Sequence, residues 1–195
     1  MTLFVNFLLY QIGWFCCVLG AAWHFPWLGM FVALGLVGAH FWLATDRTTQ
    51  LKLVLMAAGI GFVIDSTQLW MGVFAFPSGV VVDWLPPPWL SVLWVQFATT
   101  FHYSMRWLSG RYSLSAFFGL VGAPLAFFAG ERLGAVEFLS PRVTHYAVLA
   151  LLWAVAVPTL IYVSDLLLAH SSHGPGYRRP TRLRQRRNGP QGVQL

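Results

Sequence analysis

LFVNFLLYQIGWFCCVLGAA, residues 3–22, decides the fold class, because no charged side chain interrupts it. An apolar helix of about 20 residues, rising ~1.5 Å per residue, spans the hydrocarbon core of a bilayer. The run is continuously apolar rather than alternating, so it suits a helix and not a strand of a membrane barrel. It ends at the corner His24-Phe25-Pro26. No basic stretch precedes it and no convincing cleavage site follows, so an uncleaved first span is expected rather than a signal peptide. Cys16 and Cys17 are adjacent within the run. Neighbouring cysteines rarely form a disulfide and have no metal-ligand spacing, so both read as packing residues.

Five further runs of the same kind follow, at about 27–44, 51–73, 89–108, 113–130 and 144–168, the last two containing Pro124 and Pro158. Together they predict an all-α polytopic membrane protein, a bundle of about six transmembrane helices over residues 1–170. Residues 171–195 read as a disordered Arg-rich cytoplasmic tail. The chain is 57% hydrophobic and 9% charged, against about 25% charged in soluble domains. No internal repeat is visible, which disfavours inverted-repeat transporters. The net charge of +6 comes from Arg178, Arg179, Arg182, Arg184, Arg186 and Arg187; before them acids and bases balance. A nucleic-acid partner is therefore not expected. With six spans both termini share a side. Cytoplasmic termini put Arg47, Lys52, Arg106, Arg111 and the tail inside and leave Arg132 and Arg142 outside, as the positive-inside rule requires. Membrane lipids are the expected partners. The tail suits anionic headgroups at about 1 kcal/mol per basic residue, or serves only to fix topology. Trp23, Trp27, Trp70, Trp84, Trp89, Trp94 and Trp107 fall near span ends, as an interfacial aromatic belt does.

Ionisable and amide side chains inside such spans are costly and need a partner, a cavity or a function. On a helical wheel Gln96, Thr99, Thr100, His102, Tyr103 and Arg106 share an arc of about 160° of the fourth span. Gly61, Asp65, Gln68 and Gly72 lie within roughly 60° on the third. Counting rise along the spans gives two levels. Asp65, Gln68 and Gln96 form an outer carboxylate–amide layer, and Asn6, His40, Arg106 and Asp165 an inner one, with His102 between. Asp65 and His102 are the candidate catalytic groups, since burial tunes a carboxyl and an imidazole toward proton transfer. Gln68, Gln96, Arg106, Asp165, Asn6 and His40 are the candidate binding residues. A structural ion pair between Arg106 and Asp165, snorkelling of Arg106, and purely structural bonding of Asp65 and His102 are the alternatives. The histidines are scattered, with no His-x₃-His pair in a span, so no metal is expected. No dinucleotide, P-loop, zinc-protease or Gly-x-Ser-x-Gly motif is present, and no cofactor is expected. The apolar loop at 74–88, with Pro77-Ser78-Gly79 and Pro86-Pro87-Pro88, reads as an interfacial turn fixed by its prolines. Its other reading is a lid over the outer layer.

Asn6 to Gly20 (NFLLYQIGWFCCVLG), Pro26-Trp27-Leu28-Gly29, Gln96 to Leu108 (QFATTFHYSMRWL) and Gly122 to Val136 (GAPLAFFAGERLGAV) resemble DUF2878, a bacterial family of small inner-membrane proteins of unknown function. The resemblance covers most of residues 3–168 and excludes the arginine tail. It implies a multi-pass protein of the bacterial cytoplasmic membrane and supplies no activity. Three functional classes stay open. A lipid- or isoprenoid-related enzyme needs a closed pocket with a lipid-side opening. A small permease or proton-coupled carrier needs a continuous polar path. A non-catalytic subunit of a membrane complex needs only satisfied contacts and an exposed apolar groove.

Overall fold

A computed structural model describes residues 2–171; the arginine tail lies outside the described residues. Six α-helices make up the bundle: α1 Leu3–Ala22, α2 Pro26–Leu43, α3 Arg47–Trp70, α4 Pro88–Ala98, α5 Tyr112–Leu133 and α6 Arg142–Ser171. Five of them, all but α4, are long and apolar enough to cross a membrane. The starts follow local chemistry. Thr2 Oγ1 accepts from Val5 N at 3.3 Å at the head of α1, Pro26 occupies the first turn of α2, and Asp46 Oδ1 accepts from Thr49 N at 3.0 Å at the head of α3. Each meets a donor that the first helical turn leaves unpaired, or removes it. Gly134, at φ 92°, ends α5 in the left-handed conformation, which glycine adopts without a Cβ clash.

The fourth span differs from the expected helix over 89–108. α4 stops at Ala98, turns occupy 99–105, and a 3₁₀ turn covers Arg106–Leu108. Thr99 Oγ1 and Thr100 Oγ1 each donate at 2.6 Å to the carbonyls of Gln96 and Phe97. Such local bonds offer the chain an alternative to the helical ladder. Geometry favours the break as well. The returning chain packs along α3 so that Trp94 meets Asp65 and His102 meets Gln50. Fifteen α3 residues rise about 22 Å, and eight helical residues would cover only about 12 Å. Turn and 3₁₀ backbone, rising about 2 Å per residue, shortens that gap. The polar arc expected on one continuous helix is therefore divided between α4 and the turns after it.

α1 packs on α2, α3 on α4 and α5 on α6, with α4 also against α1 and α2. Glycines allow close approaches, Gly61 and Gly119 among them. A methyl on Gly61 would overlap the Trp94 indole, and one on Gly119 would overlap the Trp153 backbone carbonyl. The core between α3, α4 and α6 holds Leu53, Ala57, Trp94, Phe97, Val157 and Leu160. Outside it, Trp42, Trp70, Val143 and Phe4 are among many large apolar side chains left exposed. That surface would be untenable in water and is ordinary against lipid. The chain is a multi-pass membrane protein. Trp23, Trp27, Trp70, Trp84 and Trp107 lie on its surface, as a belt requires, but Trp89 and Trp94 are only 3% and 2% exposed. Those two are core residues, because the short α4 carries its tryptophans into the bundle.

At the end of the bundle away from the start of α1, two loops meet. β1 (Phe74–Ala75) pairs antiparallel with β2 (Glu137–Phe138), Phe74 opposite Phe138. Glu131 fastens this ribbon. It accepts from Phe138 N at 3.1 Å and Tyr146 Oη at 2.9 Å, and forms an ion pair with Arg142. Farther along the 74–88 loop, Ser78 Oγ donates to the Ala21 carbonyl at 2.6 Å. The loop is thus bonded down onto the bundle rather than lying loose at the interface.

Candidate functional site: a lateral apolar cavity and two polar clusters

Beneath the ribbon, between α1, α4, α5 and α6, lies a cavity of about 180 Å³. Its α5 wall is a run of small residues, Gly119, Gly122, Ala123, Ala126 and Gly130, and the facing walls are aromatic, including Trp14, Trp94, Phe97 and Trp153. Small residues at spacings of three and four leave a groove along one helix face. α1 and α5 make little contact with each other. Tyr10, Trp14, Phe118, Gly122 and Ala126, all lining residues, keep accessible surface there, so the cavity opens sideways between those two helices. Trp94 and Trp153 stack with centroids 4.3 Å apart and planes 20° apart.

Asp65 stands behind this wall. It is buried, and its Oδ2 accepts from Trp94 Nε1 at 2.7 Å while Oδ1 has no hydrogen-bond partner. Gln68 and Gln96 are buried nearby along the same helices but bond elsewhere. Gln68 Nε2 donates to the Ile64 carbonyl at 3.5 Å and Gln96 Nε2 to the Ala33 carbonyl at 3.3 Å. The expected carboxylate–amide layer is therefore not a bonded cluster. An indole on α4, not an amide, partners the carboxylate, because Gly61 makes room for the ring beside it.

The inner cluster also differs in membership. Asn6 Oδ1 accepts from Ser104 N at 3.1 Å and Ser104 Oγ at 2.7 Å, and its Nδ2 donates to the Thr99 carbonyl at 3.1 Å. The same Nδ2 lies 3.4 Å from His40 Nδ1. Gln50 Nε2 lies 2.6 Å from His102 Nδ1. Gln50 also reaches His40, and His102 reaches the Ser164 backbone. The remaining atoms, His40 Nε2, Gln50 Oε1 and His102 Nε2, make no hydrogen bond of ordinary geometry, so these last contacts are loose. Five elements thus converge on one polar chain: Asn6, His40, Gln50, His102 and the Ser164 backbone. Gln50 was not among the expected site residues, since the third span was expected to begin at 51. The signal lay in Asp46 and Thr49, a capping pair that starts α3 at Arg47 and puts Gln50 within its first turns.

Arg106 and Asp165 do not pair. Among the described residues the ion pair within 4 Å joins Arg142 to Glu131. Asp165 instead accepts from Ser109 Oγ at 2.5 Å, Gly110 N at 3.2 Å and Tyr112 Oη at 3.2 Å, and Arg106 is exposed. The break after Ala98 accounts for this. It releases residue 106 from the helix face on which it was placed and folds residues 109–112 over Asp165. Nor does the structure bring Asp65 and His102 together. Asp65 adjoins the cavity through Trp94, whereas His102 belongs to the inner chain, and no hydrogen bond among the described residues joins the two groups.

Asp46, outside the spans, is held below its usual carboxyl range by hydrogen bonds from the Thr49 side chain and backbone.

Comparison with known proteins identifies the chain. The sequence profile described as "Protein of unknown function (DUF2878)" matches residues 3–159. No curated protein and no solved structure matches it. The chain belongs to the DUF2878 family.

Proposed function

We propose that this DUF2878 protein binds the apolar chain of a membrane lipid or isoprenoid in the cavity between α1 and α5, and acts on lipid metabolism as a membrane enzyme. One observation carries the reading: an apolar cavity between the spans that opens sideways between α1 and α5. Ligand sites are concave and mostly apolar with a few placed polar groups. A carrier is less well supported, because the Asp65 and His40–His102 groups are not joined by hydrogen bonds into a polar path. A purely structural subunit would have little use for an open internal cavity. In this reading Asp65, hydrogen-bonded to the lining residue Trp94, is the group for any proton transfer. His102, Asn6 and His40 act on the inner end of the bundle, and Gln68 and Gln96 line the interior at the level of Asp65. Arg106 pairs with anionic headgroups, the partners that the composition of the arginine tail also suits.

The same reading places the protein in a bacterial cytoplasmic membrane with both termini inside. Arg47, Lys52, Arg106 and Arg111 gather at the end where α1 starts, and Arg132 and Arg142 at the other, which supports that orientation.

Native mass spectrometry of the purified protein tests the binding claim. Wild type should retain a lipid-sized adduct, and Ala126→Trp, which fills the groove, should lose most of it. Equal adducts on both would contradict the reading. Lipid profiles of a deletion strain test the enzymatic part; no change in any lipid class would count against it.

A further inference from the structure

We infer that the ligand of this cavity is an uncharged, single-chain lipid bearing one oxygen acceptor, bound with that oxygen at Tyr10 Oη. The inference rests on the cavity being a lipid site, as proposed above, and narrows which lipid it takes.

Charge is the first discriminator. No Asp, Glu, Lys, Arg or His lines the cavity. A phosphate, ammonium or carboxylate drawn inside would lose its hydration with nothing to replace it, which weakens binding by roughly a hundred-fold or more. Charged headgroups therefore stay outside. Size is the second. About 180 Å³ is little more than the ~150 Å³ that accommodates one benzene ring, so there is room for a segment of one chain and not for two side by side. Shape is the third. The lining runs from Tyr10 to Val18 on α1 and from Phe118 to Gly130 on α5, about 12 and 18 Å along the helices. The slot is parallel to the lipid tails, and a chain can slide in from the bilayer without turning.

The polar atoms then place the oxygen. Among the lining tryptophans, Trp89 Nε1 donates to the Ser78 carbonyl and Trp94 Nε1 to Asp65, and Trp153 Nε1 is sealed from the surface. Tyr10 Oη and Trp14 Nε1 make no hydrogen bond among the described residues. They sit four residues apart on one face of α1, at the cavity wall. A tryptophan N–H only donates, and a tyrosine hydroxyl donates readily. An acceptor oxygen on the ligand, as in a long-chain alcohol or ketone, satisfies them. A plain hydrocarbon leaves them idle, and a carboxylate brings in the charge excluded above.

Three sixteen-carbon probes brominated near the chain end test this with the full-length protein in nanodiscs: a primary alcohol, the alkane and the carboxylate. The readout is quenching of tryptophan fluorescence, because Trp14, Trp89, Trp94 and Trp153 line the cavity. Gly122→Leu supplies the background from lipid-facing tryptophans. A Cβ at Gly122 meets only Phe118 ring atoms, at 3.8 Å, so that variant should fold. Wild type should bind the alcohol roughly three- to ten-fold more tightly than the alkane, the worth of one hydrogen bond, and roughly a hundred-fold or more tightly than the carboxylate, whose charge nothing in the cavity offsets. Tyr10→Phe should remove most of the preference over the alkane, leaving at most what Trp14 Nε1 supplies, with alkane binding unchanged. A carboxylate that binds as well as the alcohol, or a preference over the alkane undiminished by Tyr10→Phe, overturns the inference while leaving the cavity as a lipid site. Equal quenching of wild type and Gly122→Leu by every probe overturns both.

Discussion

Because the Ser104 N–H can only donate, Asn6 must present its oxygen to it and its amide N–H groups to Thr99 and His40. The consequence runs along the inner chain. His40 Nδ1 accepts, so the proton of the neutral ring belongs on Nε2. Gln50 Nε2 then donates to His102 Nδ1, which puts the proton of that neutral ring on Nε2 as well. The loose contacts of Gln50 with His40 and of His102 with the Ser164 backbone fit the same direction, and the two rings take the same tautomer. Histidine side-chain ¹⁵N spectra of the protein at neutral pH should show two Nε2-protonated rings; an Nδ1-protonated His40 would break the chain at its first link. Tight packing gives a second residue-scale expectation. Gly61→Ala pushes a methyl into the Trp94 indole and should cost about 1–3 kcal/mol, as overpacked cores do, with loss of the Asp65–Trp94 bond. Chemical denaturation in detergent would measure it, and an unchanged midpoint would contradict the packing. The sequence showed that Asp65 and His102 were polar groups set within apolar runs. It could not show their partners, because an indole N–H and a glutamine at a span edge carry no signature of depth.

Individual elements hold together through a few end groups. Asp46 caps α3, and its carboxylate is held below the ordinary range by Thr49. A carboxyl so lowered contributes stability above its unfolded value, and that contribution is lost as pH falls through the folded value. Asp46→Ala should lower stability by about 1 kcal/mol, the usual worth of such a cap, and Asp46→Asn by less, with the difference between wild type and Asp46→Ala shrinking in acid. Thermal unfolding across pH reads both. At the opposite end Glu131 binds Phe138 N, Tyr146 and Arg142 together. Glu131→Gln removes the ion pair and should speed hydrogen exchange at the Phe138 amide several-fold while leaving the middle of α5 protected. Unchanged exchange there would mean the ribbon stands without its latch. The break in α4 was the least legible element. Hydropathy continues through residues 89–108, so the apolar run gave the crossing but not its backbone. Only the paired hydroxyls of Thr99 and Thr100, which bond their own helix end, hinted that the ladder would stop.

For the whole molecule, hydropathy sufficed to read an all-helical membrane bundle, since lipid permits few backbone arrangements. The cavity was beyond its reach. It arises where the small face of α5 stands opposite the aromatic faces of α1, α4 and α6, and which faces meet is a property of packing rather than of any single span. The two-level arrangement of polar residues was legible in part: Asn6, His40, Asp65, Gln68 and Gln96 are buried, but Arg106 is exposed and Asp165 only half-buried. Its bonding was not, because a one-turn error in depth exchanges one partner for another. The account's central claim is that a lipid chain occupies the space between α1 and α5. A photoactivatable single-chain alcohol, with a diazirine on its chain, tests this in membranes containing the full-length protein, with mass spectrometry locating the cross-links. Adducts concentrated on Tyr10, Trp14 and residues 118–127, and suppressed by Gly122→Leu, are the predicted result. Adducts confined to outward-facing positions such as Phe31, Trp42 and Val143, with no effect of Gly122→Leu, would contradict it.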